Sequence, residues 1–424
     1  MTLPRGLRTG LQVVAVALLA VLLATFPYID LGVDLDLHGR HLDTPLADLA
    51  GAALLVVVAG LSLGAGGSAA PRNAPGIPSG LRPPGRYSGL RPPGLYGYAL
   101  LVAVGLVALA TVPDRGASAW FLLRKPLFFY VAYGVGLAWV VTHVVSRATL
   151  RRLLLATVVA TSLVSLTTSV GRIAAGNTLW FAAIEGLTNN HKTLAVALAP
   201  LVPLVLALRR GRVDLGVAGL AAVAIALSLS RTAWIATGAG LTFFAVWKGY
   251  TLASRRGVLV GVVVVGVLAA LYGPLLMRSN AQLDAARSRH SLDKRAWTMV
   301  GEHPALGMGG GANVRVEMQT FPHYRVNGVD AHGVVQKVAS EYGVVGLLGY
   351  LGFVGAMALR LRRRAPVDAR YDAHRIAPAH LGLGLWATFV ALHVNLLLST
   401  ETFSQTHWIP LGVVWGLSWR RGST

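Results

Sequence analysis

Apolar runs of about 20 residues recur along the chain, and they constrain its fold more than any other feature. The runs are rich in Val, Leu, Ala and Gly, and short segments with Lys or Arg separate them. A membrane-spanning segment must satisfy its backbone groups internally, so runs of this composition favour helices over alternating barrel strands. Only 13% of the 424 residues are charged, about half the share in soluble domains. The sequence predicts an all-α polytopic membrane protein.

About twelve transmembrane helices are predicted, with one large outer loop between helices 9 and 10. This divides the chain into helices 1–9 (1–276), a partly helical loop domain (277–340) and helices 10–12 (341–424). The predicted helices are Leu11–Ile29, Leu46–Leu63, Gly97–Val112, Pro126–Val145, Leu153–Val170, Thr193–Leu208, Val213–Leu227, Thr232–Trp247, Gly257–Leu276, Tyr342–Leu359, Leu381–Leu398 and His407–Trp419.

The net charge of +21 follows the topology of a membrane protein. With the N-terminus inside, the short inner loops hold most of the Lys and Arg, as the positive-inside rule requires. Both termini are therefore predicted to be cytoplasmic, and the basic charge is not taken as a nucleic-acid-binding surface. The segment 64–96 carries a tandem repeat, SGLRPPGRY and SGLRPPGLY, at a Pro/Gly density that predicts a disordered cytoplasmic linker.

The large outer loop is basic, although a long translocated segment has no topological reason to be so. Its guanidinium groups suit an anionic lipid headgroup or a pyrophosphate, which arginine binds through two parallel hydrogen bonds. A solvated loop face is the competing interpretation. The basic residues are Arg278, Arg287, Arg289, Lys294, Arg295, Arg315, Arg325 and Lys337.

Two further residues are candidates for chemistry. Arg231 follows SLS at a break between two apolar runs, where a cation is costly unless it is paired or faces a wet cavity. His332 follows Asp330, a reasonable N-cap for a helix on which His332 and Gln336 share a face. A histidine there suits a general base, whereas a lone loop histidine is more often structural.

Arg295 lies in a predicted short helix capped by Ser291 and ended by Pro304. The glycines that follow, Gly307–Gly311, offer backbone N–H groups to a phosphate. They lack the lysine of a phosphate-binding loop, so a simple turn is the favoured interpretation.

Four motifs together resemble the O-antigen ligase and polymerase superfamily of bacterial membrane glycosyltransferases. They are TNNHKTLAVAL, SLSRTAWIA, RAWTMVGEHPALGMGGG and AHGVVQKVASEYGVVGLLGYLGF. The resemblance covers roughly Asn189 to Phe353. It implies a bundle of about twelve helices in the bacterial inner membrane, with the large loop and the active site in the periplasm. It also implies that a glycan moves from undecaprenyl pyrophosphate to lipid A core or to another repeat unit.

The resemblance implies the roles of individual residues as well. Arg231, Arg295 and His332 match the important arginines and histidine of the family and become the expected catalytic residues. The two arginines are expected to stabilise the pyrophosphate without a metal or other cofactor, and His332 to take the proton of the acceptor. The family often has His-Asn where this chain has His332-Gly333. The expected substrate-binding residues are Arg231, Arg295, Arg315, Lys337, Arg289 and Asn190.

Three alternatives stay open. A polymerase shares these motifs with a ligase. Asp34 and Asp36 form a DxD in the first outer loop, which would suit a metal-dependent glycosyltransferase. A glycan or lipid transporter would place polar residues along a path, and His393 and Asn395 are the candidates, although a satisfied core pair is the favoured interpretation. The chain has no cysteine, which excludes disulfides and thiol nucleophiles.

Overall fold

The structure, a computed structural model, describes residues 4–28, 32–37, 40–63, 94–112, 114–174, 191–228, 230–246, 292–313, 331, 333–364, 378–399 and 403–419. Its N-terminal elements are α1 (Arg5–Thr25), β1 (Gly32–Leu37), β2 (Arg40–Pro45), α2 (Leu46–Leu63), α3 (Leu95–Ala108), α4 (Arg115–Leu122), π-helical turns at Leu123–Phe128 and Tyr130–Gly136, α5 (Leu137–His143) and α6 (Arg147–Ala174). The others are α7 (His191–Ala207), α8 (Arg212–Leu227), α9 (Arg231–Val246), α10 (292–302), α11 (Val334–Arg364), α12 (Pro378–Leu398) and α13 (Gln405–Trp419).

Five of the described helices are long and apolar enough to cross a membrane. The prediction of a helical membrane protein is therefore confirmed in its main feature, and the departure from an all-α fold is one two-stranded hairpin. The count of twelve stays a prediction, because the predicted helix 257–276 lies outside the described residues. The described residues also leave out most of the predicted linker (64–96) and two parts of the predicted outer loop, 277–291 and 314–330. The five spans are Gly6–Thr25, Arg115–His143, Arg147–Thr168, Val334–Arg362 and Leu381–Leu398.

The prediction of a loop around Trp120 and Lys125 is wrong. These residues lie in one continuous helix, Arg115–His143, which contains Pro126. Proline lacks an N–H and crowds the preceding turn of an α-helix. Here the helix widens into π-helical turns, which accommodate the ring. The hydroxyl of Tyr98 donates a hydrogen bond to the Pro126 carbonyl at 2.7 Å and fixes this region against α3.

The acidic segment after α1 forms a two-stranded antiparallel hairpin, which hydropathy did not predict. In its register Asp34 lies opposite Asp43, and Asp36 lies opposite His41. The DxD sequence therefore lies on β1, and its partner strand β2 leads directly into α2.

Close approach of helix backbones holds the bundle together. Helix α3 packs along α11, and α12 packs against α7 and α9. A Cβ added to Gly97 would lie 2.5 Å from the Gly349 carbonyl oxygen, so the first of these contacts requires glycine. Stacked and edge-on aromatic rings fill the adjoining core. They are Tyr98, Tyr130, Phe353 and Trp408.

A buried ion pair stabilises one end of the bundle. Asp214, in the first turn of α8, is fully buried and accepts from Arg151 Nε at 2.9 Å. Its second oxygen accepts the backbone N–H groups of Arg210 (2.6 Å) and Gly211 (3.0 Å). Arg151 was predicted to lie between two helices but lies in the second turn of α6, because this pairing offsets the cost of burying its charge.

Candidate functional site

Helix α11 is interrupted at Gly343, ten residues into the helix. Gly343 has φ 65° and ψ −174°, a conformation essentially restricted to glycine. The interruption frees backbone groups on both sides of it. Lipid cannot hydrogen-bond such groups, so they need partners from the protein.

Residues 304–309 of the predicted outer loop supply these partners through their own backbone. Four hydrogen bonds join them to α11 on either side of Gly343, so the loop segment and the interrupted helix form one unit. The bonds run from Met308 N–H to the Ser340 carbonyl (2.9 Å), Gly309 N–H to the Glu341 carbonyl (2.9 Å), Val344 N–H to the Pro304 carbonyl (2.8 Å) and Val345 N–H to the Ala305 carbonyl (3.3 Å).

Glycines make this close approach possible. Gly307, Gly309 and Gly311 have φ values of 69°, 86° and 73°, which other residues rarely adopt. A Cβ on Gly307 would lie 2.5 Å from the carbonyl carbon of Glu341. The N–H groups of Met308 and Gly309 already donate to α11, so the glycine run is a packed turn. Of the two interpretations offered by the sequence, the structure favours the turn over a phosphate-binding loop.

A buried polar network lies beside this turn and contains Arg295. The Nη2 of Arg295 donates to the Asn313 carbonyl oxygen at 3.1 Å. The amide of Asn313 donates to Ser340 Oγ at 2.7 Å and lies 3.4 Å from Glu341 Oε1. Arg295 is partly buried in α10, as predicted for a short helix at this position. The network connects it to the start of α11.

Lys337 belongs to the same network. Its side chain is 2% exposed, and its Nζ lies 3.7 Å from Glu341 Oε1 and 5.1 Å from the centre of the Phe121 ring. Phe121 lies on α4 and also lines the glycine turn, next to Gly311. The ammonium group thus contacts protein groups on two sides. Its predicted role as a substrate ligand stays a prediction.

Arg231 is the first residue of α9, and its side chain is exposed. The serines before it shape the break: Ser228 Oγ accepts the Ser230 N–H at 3.2 Å, and Ser230 Oγ accepts an N–H of the next turn at 3.4 Å. A cation at a helix N-terminus is opposed by the helix dipole. The guanidinium and the helix end together attract anions.

The chain neighbours of Arg231 and His332 bind the same helix end. Thr232 Oγ1 donates to the Leu398 carbonyl at 3.3 Å, and Gly333 N–H donates to the Ser399 carbonyl at 3.1 Å. His332 itself lies outside the described residues. The backbone next to each of the two predicted residues is therefore fixed to adjacent carbonyls at the end of α12.

Residues 216–351, roughly a third of the chain, match the model of the O-antigen ligase family. The predicted resemblance to the ligase and polymerase superfamily is thereby confirmed. No curated protein matches the chain.

The O-antigen ligase match includes most of the residues singled out from the sequence. Arg231, Arg295 and Lys337 are described and lie within it. Asn190 lies before the matched segment and, like Arg289, Arg315 and His332, outside the described residues. Network contacts connect Arg295 with Lys337, and the end of α12 connects α9 with α11. No contact between Arg231 and Arg295 is observed within the described part.

A second polar cluster was missed from the sequence. Asp48, 7% exposed on α2, accepts from the hydroxyl of Tyr133 and from Gln405 Nε2, both at 2.7 Å. Its other oxygen forms an ion pair with Arg124 at 3.2 Å. Asp48 is the one acid in an otherwise apolar helix, and an intramembrane acid is the signal that identifies such a group.

His393 and Asn395, the candidates for lining a transport path, both contact backbone carbonyls of the helical bundle. Asn395 Nδ2 donates to the Val196 carbonyl at 3.2 Å, and His393 Nδ1 lies 2.8 Å from the Phe389 carbonyl oxygen. The second polar atom of each side chain, Nε2 of His393 and Oδ1 of Asn395, is buried and makes no hydrogen bond within the described part, so a satisfied core pair stays a prediction. Among the described residues there is no group of three or more His, Asp, Glu or Cys side chains able to hold a metal ion.

Proposed function

We propose that the protein is an O-antigen ligase-type glycosyltransferase of the bacterial inner membrane. It moves a glycan from undecaprenyl pyrophosphate to a hydroxyl of lipid A core at the periplasmic face, without a metal and with inversion at the anomeric carbon. A polymerase that joins lipid-linked repeat units is the second candidate, because the matching family model does not separate the two acceptors.

One observation supports this proposal most. A single family match contains Arg231, Arg295 and His332. The residues next to Arg231 and His332 bind adjacent carbonyls of α12, at Leu398 and Ser399. The residues Thr232 and Gly333, next to two of the three groups that the mechanism requires, are thus held at one helix end.

The mechanism follows from the chemistry of the donor. The acceptor hydroxyl attacks the anomeric carbon and forms the new C–O bond, while the bond from that carbon to the pyrophosphate oxygen breaks. Undecaprenyl pyrophosphate leaves with the bonding electrons. Arg231 and Arg295 stabilise the developing negative charge. His332 accepts the proton of the hydroxyl as a general base.

Replacement of His332 by Ala tests the proposal. His303→Ala is the matched control, because His303 is an exposed histidine of the same loop whose backbone, not its ring, makes the observed hydrogen bonds. Purified protein is assayed in detergent with lipid-linked glycan and lipid A core. We expect His332→Ala to lose roughly 100- to 10,000-fold in rate, the usual contribution of a general base, and His303→Ala to retain it. Undiminished transfer by His332→Ala would exclude the base role.

The same assay separates the other functions. Transfer to lipid A core identifies a ligase, and extension of lipid-linked glycan without core identifies a polymerase. A transporter gives no product in detergent, because it moves its substrate without breaking a bond. In cells, loss of the gene leaves bare core with intact lipid-linked polymer for a ligase, and single-repeat caps for a polymerase.

A further inference from the structure

Asn313 connects Arg295 to the interrupted helix. It is 5% exposed, and it uses both its backbone and its side chain. The carbonyl accepts from Arg295, and the side-chain amide reaches Ser340 and Glu341 on α11. The guanidinium of Arg295 is therefore held by a residue whose own position is set by α11.

Glu341 acts together with Ser340 to determine which way the Asn313 amide faces: Ser340 Oγ accepts at 2.7 Å, and Glu341 Oε1 lies at 3.4 Å. The carboxylate is fully buried and offers only acceptor atoms. It therefore requires the N–H end of the amide to face it, which leaves the amide in one orientation. Lys337, at 3.7 Å, supplies the counter-charge on the other side of the same oxygen.

The energetic cost of this arrangement argues for a role beyond holding helices together. Apolar residues of similar volume often stabilise a core as well as a buried ion pair does, because the charges must be desolvated. An ion pair does something that apolar packing does not: it orients a neighbouring dipole. Here that dipole is the amide of Asn313.

We propose that Glu341 is a positioning residue for glycosyl transfer, which acts by orienting Asn313 and thereby places the guanidinium of Arg295. This rests on the proposed function, in which Arg295 stabilises the leaving pyrophosphate. A donor stabilises a transition state most when it is in place before charge develops. Displacing it by about 1 Å costs up to roughly 100-fold in rate.

An exchange of donor and acceptor tests the orientation. Asn313→Asp places two carboxylates together, and Glu341→Gln places two amides together and leaves Lys337 without its counter-charge. The double variant Asn313→Asp with Glu341→Gln restores one donor facing one acceptor, with one negative charge near Lys337. We expect each single variant to lose roughly 10- to 100-fold in kcat and the double variant to recover most of it. Thr298→Ala, an exposed change on α10, is the control and keeps the wild-type kcat.

A second measurement separates positioning from a merely structural effect. If Glu341 and Asn313 act through Arg295, then Asn313→Ala combined with Arg295→Ala has the same kcat as Arg295→Ala alone. KM for the lipid-linked donor stays close to wild type in Asn313→Ala, because the lost interaction is one made in the transition state. This readout does not need the exchange variants to fold.

The outcomes distinguish this inference from the proposed function. Wild-type kcat in Arg295→Ala overturns the role of Arg295, and the positioning role with it. If Arg295→Ala is impaired but its effect multiplies with that of Asn313→Ala, only the positioning role is overturned. An exchange variant that inserts and melts normally, yet stays as slow as the single variants, likewise overturns only the positioning role.

Discussion

Replacing Gly343 by Ala tests the claim that the outer loop and α11 fold as one unit. A Cβ at this position meets the Ala305 carbonyl and would lie 2.5 Å from the Leu306 nitrogen. The contact is with backbone, which cannot rotate away as a side chain does. The variant must therefore either distort α11 or displace residues 304–309 from the break.

The expected loss of stability has two parts. A non-glycine residue at φ 65° and ψ −174° costs about 1–3 kcal/mol in strain. Displacing the loop segment sacrifices some of the four backbone hydrogen bonds across the break, at about 0.5–1.5 kcal/mol each. Together these give a loss of about 3–5 kcal/mol in the free energy of unfolding.

The measurement is an SDS titration in mixed micelles, followed by circular dichroism. Gly355→Ala is the matched control: it lies in the same helix, with no atom within 4 Å of an added Cβ, and should gain up to about 1 kcal/mol. Glycan transfer should fall in Gly343→Ala and not in Gly355→Ala. Equal unfolding midpoints and full transfer in both variants would refute the coupling of loop and helix.

The remaining predictions concern the ion pair, the metal and the topology. Asp214→Asn leaves the half-buried Arg151 beside a neutral amide and should lower the unfolding free energy by about 3 kcal/mol in the same titration. Adding Arg151→Met should recover part of this loss, and an additive loss would contradict the prediction. Excess EDTA should leave the rate of glycan transfer unchanged, whereas inhibition would favour a metal-dependent mechanism. The chain has no cysteine, so a single introduced cysteine reports its own side of the membrane. Thr298→Cys should react with a membrane-impermeant maleimide added from the periplasmic side, and Arg209→Cys should not. The reverse pattern would contradict the proposed orientation.

Much of the helical bundle was predictable, because hydropathy alone determines where an apolar helix lies. Helix α2 was predicted with the bounds Leu46–Leu63 that the structure shows. The predicted ends of α12 at Leu398 and of α13 at Trp419 are also observed. Of these helices only α2 contains a charged residue, Asp48 in its first turn, so a window of mean hydropathy follows their length correctly.

Hydropathy gave the wrong helix bounds where charged side chains are buried. Hydropathy placed the start of the membrane span at Tyr342, because Lys337 and Glu341 are charged, although the Asp330 cap predicted a helix that leads into this span. The helix begins at Val334 instead, since those two side chains neutralise each other inside the protein. A hydropathy window cannot register a contact between two charges, and it cannot show that Gly343 interrupts the helix.

The sequence identified the candidate residues of the site, but it did not identify the buried residues that hold them. The residue types at Arg231, Arg295 and His332 matched a known family. Asn313 and Glu341, the buried residues next to Arg295, carry no such signal. Their role depends on contacts between distant parts of the chain, which the sequence does not show.

The shared attachment at the end of α12 limits how the protein can be divided. A fragment ending at residue 351 would contain the whole matched segment, yet it would lack Leu398 and Ser399, the carbonyls that secure Thr232 and Gly333. The segment that matches the family model and the segment that holds these contacts are therefore different lengths of polypeptide. Moving residues 216–351 alone into another helical bundle would carry Thr232 and Gly333 with it but would leave behind the Leu398 and Ser399 carbonyls that bind them.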